Sequence, residues 1–470
     1  MIMNINLIDD DKLKEECGVI GIYSKEENVA NMIYYGLYAL QHRGQESAGI
    51  AVNNNGTISY YKDAGLVSEV FNNNNKLEKL NGNMGIGHVR YGADSEKLAI
   101  NAQPLVVKYK KGSIAIAHNG SIVNANSLRE ILEDDGVVFQ TTNDSEVMAN
   151  MIARYHKEEI EKAVNRVMEL LKGSYALVLM TENKLIGVRD NQGIRPLCLG
   201  KIDDGYVLAS ESCALDTIGA EFIRDIEPGE MVIIDENGIK SIFNDKWSKK
   251  KLCIFELIYL ARPDSRIDDI SVYHARKEAG RILARECPVD ADIVIAVPDS
   301  GISAAVGYAE ESGIPYSIGL IKNRYVGRTF IKPNQSNREE GVKIKLNVLK
   351  ENIEGKRVVL VDDSIVRGTT SRKLVKMLKK AGAKEVHLRI SSPPVMFPCY
   401  FGIDTPYREH LVGANKTIEE ICEMIDADSL GFISEEGLVK STGKTDGFCL
   451  ACLNGDYPME IPREEGAFHE

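Results

Sequence analysis

The stretch that most constrains the fold of this chain is VVLVDDSIVRGTT, which runs from Val358 to Thr370. Its four consecutive apolar residues, 358–361, predict a strand that is buried on both faces, as strands of a parallel sheet are. In 371–381 the apolar residues recur at helical spacing, and Gly382 suits the position just after a helix end. The stretch therefore predicts a strand–loop–helix unit of an α/β sheet.

The loop of this unit has the residue types of a phosphate site. In open α/β sheets, ligands bind beyond the carboxyl ends of the strands, where Asp362 and Asp363 stand. The N–H groups of a helix N-terminus and the hydroxyls of Thr369 and Thr370 suit a phosphate, and paired carboxylates suit sugar hydroxyls or Mg²⁺. For the acidic pair alone, an ordinary turn with solvated side chains is the alternative.

As a whole, the stretch resembles the phosphoribosylpyrophosphate (PRPP) loop of type I phosphoribosyltransferases. The resemblance implies that the two aspartates hold the ribose hydroxyls and assist Mg²⁺, and that the following loop holds the 5′-phosphate. The PRPP-binding residues so implied are Asp362, Asp363, Ser364, Arg367, Gly368, Thr369 and Thr370. A second loop, PDSGIS, follows a predicted strand at 292–297 and resembles the pyrophosphate loop of that family, in which Ser300 contacts Mg²⁺.

A long basic segment, 322–347, lies between these two loops in the sequence. A run of basic residues is usually a solvated surface, but long irregular loops in compact domains are often lids. We expect this segment to close over PRPP, with Lys322 and Tyr325 as the candidates to touch the pyrophosphate and the ribose.

The length, the net charge and the number of cysteines limit the classes of protein that this chain can belong to. Its 470 residues exceed what one hydrophobic core usually supports, so at least two domains are expected. The net charge of −12 argues against binding to nucleic acid or to a membrane surface. No apolar run approaches the roughly 20 residues of a membrane span, and a cytoplasmic location is the default expectation. The odd count of nine cysteines favours metal or catalytic roles over a disulfide framework.

In the first half, Cys17 opens a strand pattern at 18–23 and is followed by four polar clusters. The clusters are LQHRGQESAGIAV, GIGHVRYGA, IAHNGSIVN and TTNDSEV. A lone cysteine before a strand is more often a small buried side chain, and each cluster alone could be a turn. In this order they resemble the N-terminal-nucleophile (Ntn) glutamine amidotransferase domain, over most of 17–240. The resemblance implies a four-layer αββα domain with two sheets stacked between helices.

Amide hydrolysis by a cysteine needs a thiolate, a base and an oxyanion site. If Cys17 is the mature N-terminus, its α-amine can be the base, because a free α-amine has a pKa of roughly 7.7–8.0. Residues 1–16 would then be a propeptide, removed between Glu16 and Cys17 either by self-processing, which is the family precedent, or by a protease.

The same resemblance implies the other residues of the glutamine site. Arg90 would pair with the α-carboxylate of glutamine, which a guanidinium suits, and Asp144 would hold the α-ammonium. Asn119 and Gly120 would form the oxyanion hole, and Arg43 would shape the glutamine pocket with Gly44.

Further strands and a domain boundary complete the outline. Strands are predicted at 173–180, 184–188, 209–212, 228–234 and 316–321, and helices at 34–40 and 272–285. The basic break WSKKK at 247–251 predicts a boundary between a glutaminase domain, 17–247, and a phosphoribosyltransferase domain, 248–470, with a parallel sheet. The fold class is thus α/β and α+β in two domains.

Four cysteines of the second half have flanking sequences that make them candidate metal ligands. They are Cys253, Cys399, Cys449 and Cys452. One CxxC pair alone is a weak signal; zinc is a fair interpretation of four cysteines, and buried thiols are the alternative. All four contexts resemble the iron–sulfur subset of the glutamine PRPP amidotransferases. That resemblance implies a structural [4Fe–4S] cluster, which four thiolates suit.

The chain as a whole resembles this amidophosphoribosyltransferase family over nearly all of 17–460. The resemblance implies that ammonia from glutamine displaces pyrophosphate from PRPP to give 5-phosphoribosylamine, glutamate and pyrophosphate, the first step of de novo purine nucleotide synthesis. It also implies Mg²⁺, inhibition by purine nucleotides and a homotetramer. The rivals are a glutaminase joined to another synthase, and a DNA-binding regulator that senses PRPP; the PRPP-type loops disfavour the first, and the acidic balance disfavours the second.

Overall fold

The computed structural model describes residues 17–24, 29–72, 74–91, 99–244, 249–323, 346–405 and 407–461. The predicted propeptide, the predicted boundary at Trp247, and Tyr325 with the rest of 324–345 lie outside these residues. Within them, no helix has both the length and the apolar character that a membrane crossing requires.

Two antiparallel sheets form the described first half. Their strands are β1 (Gly18–Tyr23), β2 (Ser47–Asn54), β3 (Thr57–Ala64), β4 (Met84–Arg90), β5 (Leu105–Tyr109), β6 (Gly112–Ile122), β7 (Gly173–Met180), β8 (Leu185–Arg189), β9 (Cys198–Ile202), β10 (Gly205–Ala209), β11 (Glu221–Asp225), β12 (Glu230–Asp235) and β13 (Gly238–Phe243). The strand order is β11-β9-β10-β1-β4-β2-β3 in one sheet and β13-β12-β8-β7-β6-β5 in the other.

The two sheets pack face to face, with helices on their outer sides. Val19 and Leu208 of the first sheet share a buried core with Ala117 and Val178 of the second, and separate cores join each sheet to its helices. The helices are α1 (Val29–Ala39), α2 (Val67–Val70), α3 (Asn74–Glu78), α4 (Ala125–Asp134), α5 (Asp144–Tyr155), α6 (Ile160–Leu170) and α7 (Ser212–Ile218). This is the predicted αββα arrangement.

The second half is built on a parallel sheet of order β17-β20-β21-β22. Its strands and the short ones around it are β14 (Leu252–Cys253), β15 (Arg266–Ile267), β16 (Ile270–Ser271), β17 (Ile293–Ala296), β18 (Leu320–Lys322), β19 (Leu346–Val348), β20 (Arg357–Asp362), β21 (Glu385–Ile390), β22 (Ser429–Phe432) and β23 (Phe448–Cys449). The parallel sheet confirms the predicted fold class of this half.

Helices flank this sheet. They are a π-helix (Glu256–Leu260), α8 (Val272–Glu286), α9 (Ile302–Ser312), α10 (Lys350–Ile353), α11 (Thr369–Lys380), a 3₁₀-helix (Arg408–His410), α12 (Val412–Asn415), α13 (Ile418–Ile425), α14 (Glu435–Ser441) and α15 (Ala451–Asn454). The apolar run 358–361 is wholly buried in β20, and Leu374, Val375 and Leu378 form the buried stripe of α11. Gly382 follows α11 with a φ of 97°, as its predicted position requires.

Two predicted strands differ from the structure. The strand predicted at 209–212 ends at Ala209, and Ser212 already begins α7; the polar side chains that follow Ala209 make tertiary hydrogen bonds, such as Val19 N to Ser210 Oγ. In the strand predicted at 316–321, Tyr316 makes an isolated bridge to Val294, and regular pairing begins at Leu320.

Candidate active sites

The glutaminase candidates meet around a cavity of about 870 Å³. Cys17 directly precedes β1, and Gly18 pairs with Val89 of β4, so Cys17 and Arg90 lie at the same end of the first sheet. Asn119 and Gly120 come from β6 of the facing sheet. The predicted residues that line the cavity are Cys17, Arg90, Asn119, Gly120 and Asp144.

Asn119 and Gly120 have the features of an oxyanion site. The Asn119 side chain is buried, and neither its oxygen nor its nitrogen has a hydrogen-bond partner among the described residues. Gly120 has a φ of 134°, and a Cβ there would lie 2.1 Å from the Ser174 carbonyl oxygen. Only glycine fits this backbone, which sets the Asn119–Gly120 peptide against the cavity that Cys17 also lines.

Asp144 stands at the start of α5, on the cavity wall. Its carboxylate accepts a hydrogen bond of 3.0 Å from Ile122 N and lies 3.5 Å from His118 Nδ1. Burial by itself raises the pKa of Asp144, but His118 and the backbone donors Ile122 and Ser145 outweigh burial, so the pKa lies below its ordinary value. Asp144 is therefore an anion at neutral pH, as a partner of the glutamine α-ammonium must be.

Arg43 is not among the residues that line the cavity. Its guanidinium is buried and is held by two carboxylates, Glu211 at 2.6 Å and Glu256 at 2.7 Å. Its Nε donates to the carbonyl oxygen of Cys17 at 3.2 Å. The structure thus places Arg43 behind the nucleophile, whereas the sequence suggested a residue that shapes the glutamine pocket; Gly44 lies against β4, where a Cβ would meet the Arg90 backbone at 2.6 Å.

The PRPP candidates gather at one edge of the parallel sheet. Ala296 of β17 pairs with Val361 of β20, so the loops that follow these two strands are neighbours. Asp362, Asp363 and Ser364 are buried. Ser364 Oγ donates to Asp363 Oδ2 at 2.6 Å, and Asp363 N donates to Asp362 Oδ1 at 2.9 Å.

The phosphate-type loop ends at the N-terminus of α11. Gly368 is the N-cap of this helix with a φ of 80°, and no side chain caps the helix. Thr369 and Thr370 form its first turn, and Arg367 precedes the cap. The N–H groups of the first turn thus point toward the loop, in the arrangement that binds phosphate in many α/β proteins.

Lys322 reaches the loop after β17. Its Nζ lies 2.9 Å from Asp299 Oδ2, next to Ser300, which is half-buried. The predicted pyrophosphate contact therefore lies beside the predicted pyrophosphate loop. Tyr325, the other lid candidate, is outside the described residues.

The four predicted cluster cysteines belong to one hydrophobic core, which buries Cys253, Cys449 and Cys452 and has Cys399 packed against it. Cys253 of β14 pairs in register with Cys449 of β23. Burial raises the pKa of the Cys452 thiol, and Cys399, Cys253 and Cys449 are the charges that raise it further. Burial likewise raises the pKa of Cys449 to about 11. Within the described ranges, no three or more Cys, His, Asp or Glu side chains form a ready metal-binding group.

Sequence reasoning missed the contribution of the second half to the glutaminase cavity. Tyr400, Gly402, Ile403 and Asp404 line it, together with Cys399. It also missed Glu211 and Glu256, the partners of Arg43. None of these residues belongs to a motif that predicted the glutamine site, and only contacts between distant parts of the sequence bring them there.

Two family models match parts of the chain. A glutamine amidotransferase domain matches residues 88–217, and a phosphoribosyl transferase domain matches residues 270–391. The first match includes Arg90, Asn119, Gly120 and Asp144. The second match includes Asp362 and the rest of the predicted PRPP loop.

Curated relatives match almost the whole chain. It is 54% identical to the amidophosphoribosyltransferase of Archaeoglobus fulgidus over 96% of this chain and 99% of that protein. It is 50% identical to the amidophosphoribosyltransferase of Bacillus subtilis over 96% of this chain and 95% of that protein.

Two solved structures superpose closely on the described fold. One is reported as the allosteric regulatory enzyme of purine biosynthesis, with a TM-score of 0.92, 49% identity, and coverage of 95% of this chain and 97% of that one. The other is the B. subtilis glutamine PRPP amidotransferase in complex with ADP and GMP, with a TM-score of 0.90, 50% identity, and coverage of 95% and 98%.

Proposed function

The chain belongs to the amidophosphoribosyltransferase family, and we propose that its two candidate sites catalyse the two halves of one reaction. It is a glutamine-dependent transferase of purine biosynthesis that aminates PRPP. Ammonia from glutamine displaces pyrophosphate at C1 of PRPP and gives 5-phosphoribosylamine. The observation that carries the residue-level proposal is that Cys17, Asn119 and Gly120 line one cavity.

In the glutaminase half, the Cys17 thiolate attacks the amide carbon of glutamine and forms a thioester as ammonia leaves, and water then hydrolyses the thioester to glutamate and the free thiol. The α-amine of Cys17, when it is the N-terminus, accepts the thiol proton and returns it to the leaving nitrogen. Asn119 Nδ2 and the N–H of Gly120 stabilise the oxyanion. Arg90 and Asp144 hold the two charged ends of the glutamine α-carbon.

This role of Cys17 requires removal of residues 1–16, because the nitrogen of a peptide bond cannot act as a base. We propose cleavage between Glu16 and Cys17, with the Cys17 thiol attacking the preceding carbonyl. Intact-mass measurement of the purified protein tests this step. Retention of residues 1–16 in protein that hydrolyses glutamine would contradict it.

In the phosphoribosyl half, Asp362 and Asp363 orient the ribose hydroxyls, and Ser364, Arg367 and the first turn of α11 hold the 5′-phosphate. Ser300 and the two aspartates supply oxygen ligands, which Mg²⁺ prefers. A bound Mg²⁺ would neutralise the departing pyrophosphate. Lys322 supplies a positive charge beside the same loop, and Tyr325 is the proposed contact to the ribose.

The cysteine quartet fits a [4Fe–4S] cluster in its donor set. Four cysteines from three separate segments share one apolar core, and Phe401 N donates to Cys399 Sγ at 3.3 Å. Hydrogen bonds to sulfur and burial are the features by which proteins tune such clusters. Cys253, Cys399, Cys449 and Cys452 would hold the cluster, which would cross-link β14 to the end of the chain.

A relative supports a proposal on regulation, and the family resemblance supports one on assembly. The B. subtilis relative was solved with ADP and GMP bound, and we propose that purine nucleotides inhibit this chain as well. We further propose a homotetramer. Inhibition curves with ADP and GMP and a solution mass measurement test these two statements separately.

A Cys17→Ala variant tests the assignment of the two sites. It should lose glutamine-dependent activity but keep pyrophosphate release with added ammonia, since ammonia bypasses the thiol. Cys422→Ala is the matched control, because Cys422 is half-buried on α13, in the other half of the chain, and outside the cavity. Glutamine use that survives in Cys17→Ala would overturn the proposed nucleophile.

A further inference from the structure

A buried ion-pair network crosses between the two halves of the molecule behind Cys17. Arg43 of the first half holds Glu256 of the second half with both ends of its guanidinium, Nη1 to Oε2 at 3.0 Å and Nη2 to Oε1 at 2.7 Å. Arg195, also of the first half, approaches the same carboxylate at 3.4 Å. All three side chains are essentially inaccessible to solvent.

Arg43 connects this network to the nucleophile. Its Nε donates to the carbonyl oxygen of Cys17. This carbonyl is attached to the Cα that also carries the α-amine and the thiol side chain, so the hydrogen bond helps to fix the position of both reactive groups. A buried guanidinium is costly unless its charge is compensated and its donors are hydrogen-bonded, and a two-point carboxylate contact also fixes its orientation. Glu211 supplies one carboxylate from the first half, and Glu256 supplies the other from the second half.

We propose that Glu256 is a positioning residue for glutamine hydrolysis, which holds Cys17 in its reactive place through Arg43. This inference rests on the proposed role of Cys17 as the nucleophile. The glutaminase centre is then complete only when the phosphoribosyltransferase half is packed against it.

The same network extends toward the PRPP site. Glu256 begins the π-helix, and Arg276 of α8 donates to the carbonyl oxygens of Leu257 at 2.7 Å and Ala261 at 2.8 Å, which span this helix. Arg276 is buried, and α8 packs closely against α9, where a Cβ at Gly280 would lie 1.9 Å from the Ala304 carbonyl oxygen. Because α9 begins just after the loop that carries Ser300, packed helices join the Glu256 segment to the PRPP site. Single-turn π-helices are frequent at functional sites.

The test compares Glu256→Gln with Asp268→Asn in the full-length enzyme. Asp268 is a matched control because it also forms a buried two-point ion pair across the halves, with Arg189 at 2.8 Å. Arg189, unlike Arg43, donates to the backbone of Gly193, Arg195 and Ile226 rather than to Cys17. Glu256→Gln should lower kcat/KM for glutamine by about tenfold or more, and it should weaken the increase in glutamate release that we expect PRPP to cause through these packed helices. Ammonia-dependent pyrophosphate release should stay within about twofold of wild type, and Asp268→Asn should leave the ratio of the two activities unchanged.

Several outcomes would overturn the proposal. One is wild-type glutamine use and PRPP stimulation in Glu256→Gln; another is an equal loss of both activities in Glu256→Gln and Asp268→Asn, which would show a merely structural role. If Glu256→Gln does not fold, Glu256→Asp keeps the charge but not the two-point geometry, and it should show the selective loss in milder form. Failure of wild type to use glutamine, or survival of glutamine use in Cys17→Ala, would instead overturn the proposed function.

Discussion

Cys253 and Cys449 lie directly opposite each other in a parallel strand pair, although they come from the beginning and the end of the second half. This pair closes the end of the chain onto the segment that enters the domain. Cys452 follows on α15, and its backbone carbonyl accepts hydrogen bonds from Met396 N and Phe397 N, next to Cys399. The backbone itself therefore holds together the three chain segments that carry the four cysteines.

Loss of one cluster cysteine should lower both the bound iron and the thermal stability. We expect Cys449→Ser, purified without oxygen, to lose its iron and to unfold at a lower temperature, because three thiols would be left buried without the cluster that cross-links them. Iron analysis and calorimetry measure the two effects. Cys422→Ser is the control. Normal iron content in Cys449→Ser, or no iron in wild type, would contradict the cluster.

Substitution of Gly120 should damage the glutaminase selectively. In Gly120→Ala, the added Cβ meets the Ser174 carbonyl oxygen at 2.1 Å on a backbone with a φ of 134°, so the peptide that faces the cavity must move. We expect a loss of about 10²–10³ in glutamine-dependent kcat, the size that removal of one oxyanion donor causes. Ammonia-dependent activity should remain.

Gly136→Ala is the control for this substitution. It also replaces a glycine with a positive φ, 85°, but a Cβ there has nothing within 4 Å. It should cost stability by roughly 1 kcal/mol without a selective loss of glutamine use. A Gly120→Ala enzyme with a glutamine kcat like that of Gly136→Ala would remove Gly120 from the oxyanion site.

Substitution of Asp363 should damage the phosphoribosyl half. Asp363→Asn removes the charge beside the proposed Mg²⁺ and should lower ammonia-dependent pyrophosphate release by about a hundredfold or more. Asp292→Asn is the control, since Asp292 is exposed and pairs with Arg357 near the opposite end of β20, at 2.9 Å. Equal effects of the two substitutions would show that Asp363 has no special part in the reaction.

The buried His88 predicts a loss of stability in acid. Burial lowers the pKa of His88 from 6.5 to about 3, with Arg90 lowering it further, while its hydrogen bond to His118 opposes the shift. Below about pH 6.5, His88 is therefore protonated in the unfolded chain, whereas in the folded chain it stays neutral down to about pH 3. His88 thus favours unfolding increasingly as the pH falls through this window, by about 5 kcal/mol at its lower end.

Denaturant unfolding at several pH values measures this effect. The free energy of unfolding should fall from pH 6.5 downward, and His88→Gln, which cannot be protonated, should show a shallower fall. Parallel curves for wild type and His88→Gln would contradict a buried neutral histidine at this position.

The local parts of the sites could be predicted from the sequence because each follows from a strand and the loop after it. β20 is apolar on both faces, and the residues at its carboxyl end must lie at the sheet edge; the same argument places Ser300 after β17. The role of Gly120 was predicted from the family resemblance rather than from a strand and its loop, and its positive φ explains why glycine stands there.

The rest depends on long-range pairing. The family resemblance suggested that Arg43 shapes the pocket near Cys17, but its guanidinium binds Glu211 and Glu256, which come from distant segments. Glu256 lies in FELIYLARPDS, where neither helical spacing nor a cap predicts the π-helix. The strand predicted at 209–212 ends earlier than predicted for a similar reason, because the Glu211 side chain points inward and binds Arg43.

The most direct test of the account is the rate of glutamate formation beside the rate of pyrophosphate formation in one reaction with glutamine, PRPP and Mg²⁺. The account predicts equal rates, PRPP-dependent glutamate release, and transfer of ¹⁵N from the glutamine amide to phosphoribosylamine. Glutamate that accumulates without pyrophosphate, or a product that carries no ¹⁵N, would contradict the claim that the two sites serve one reaction.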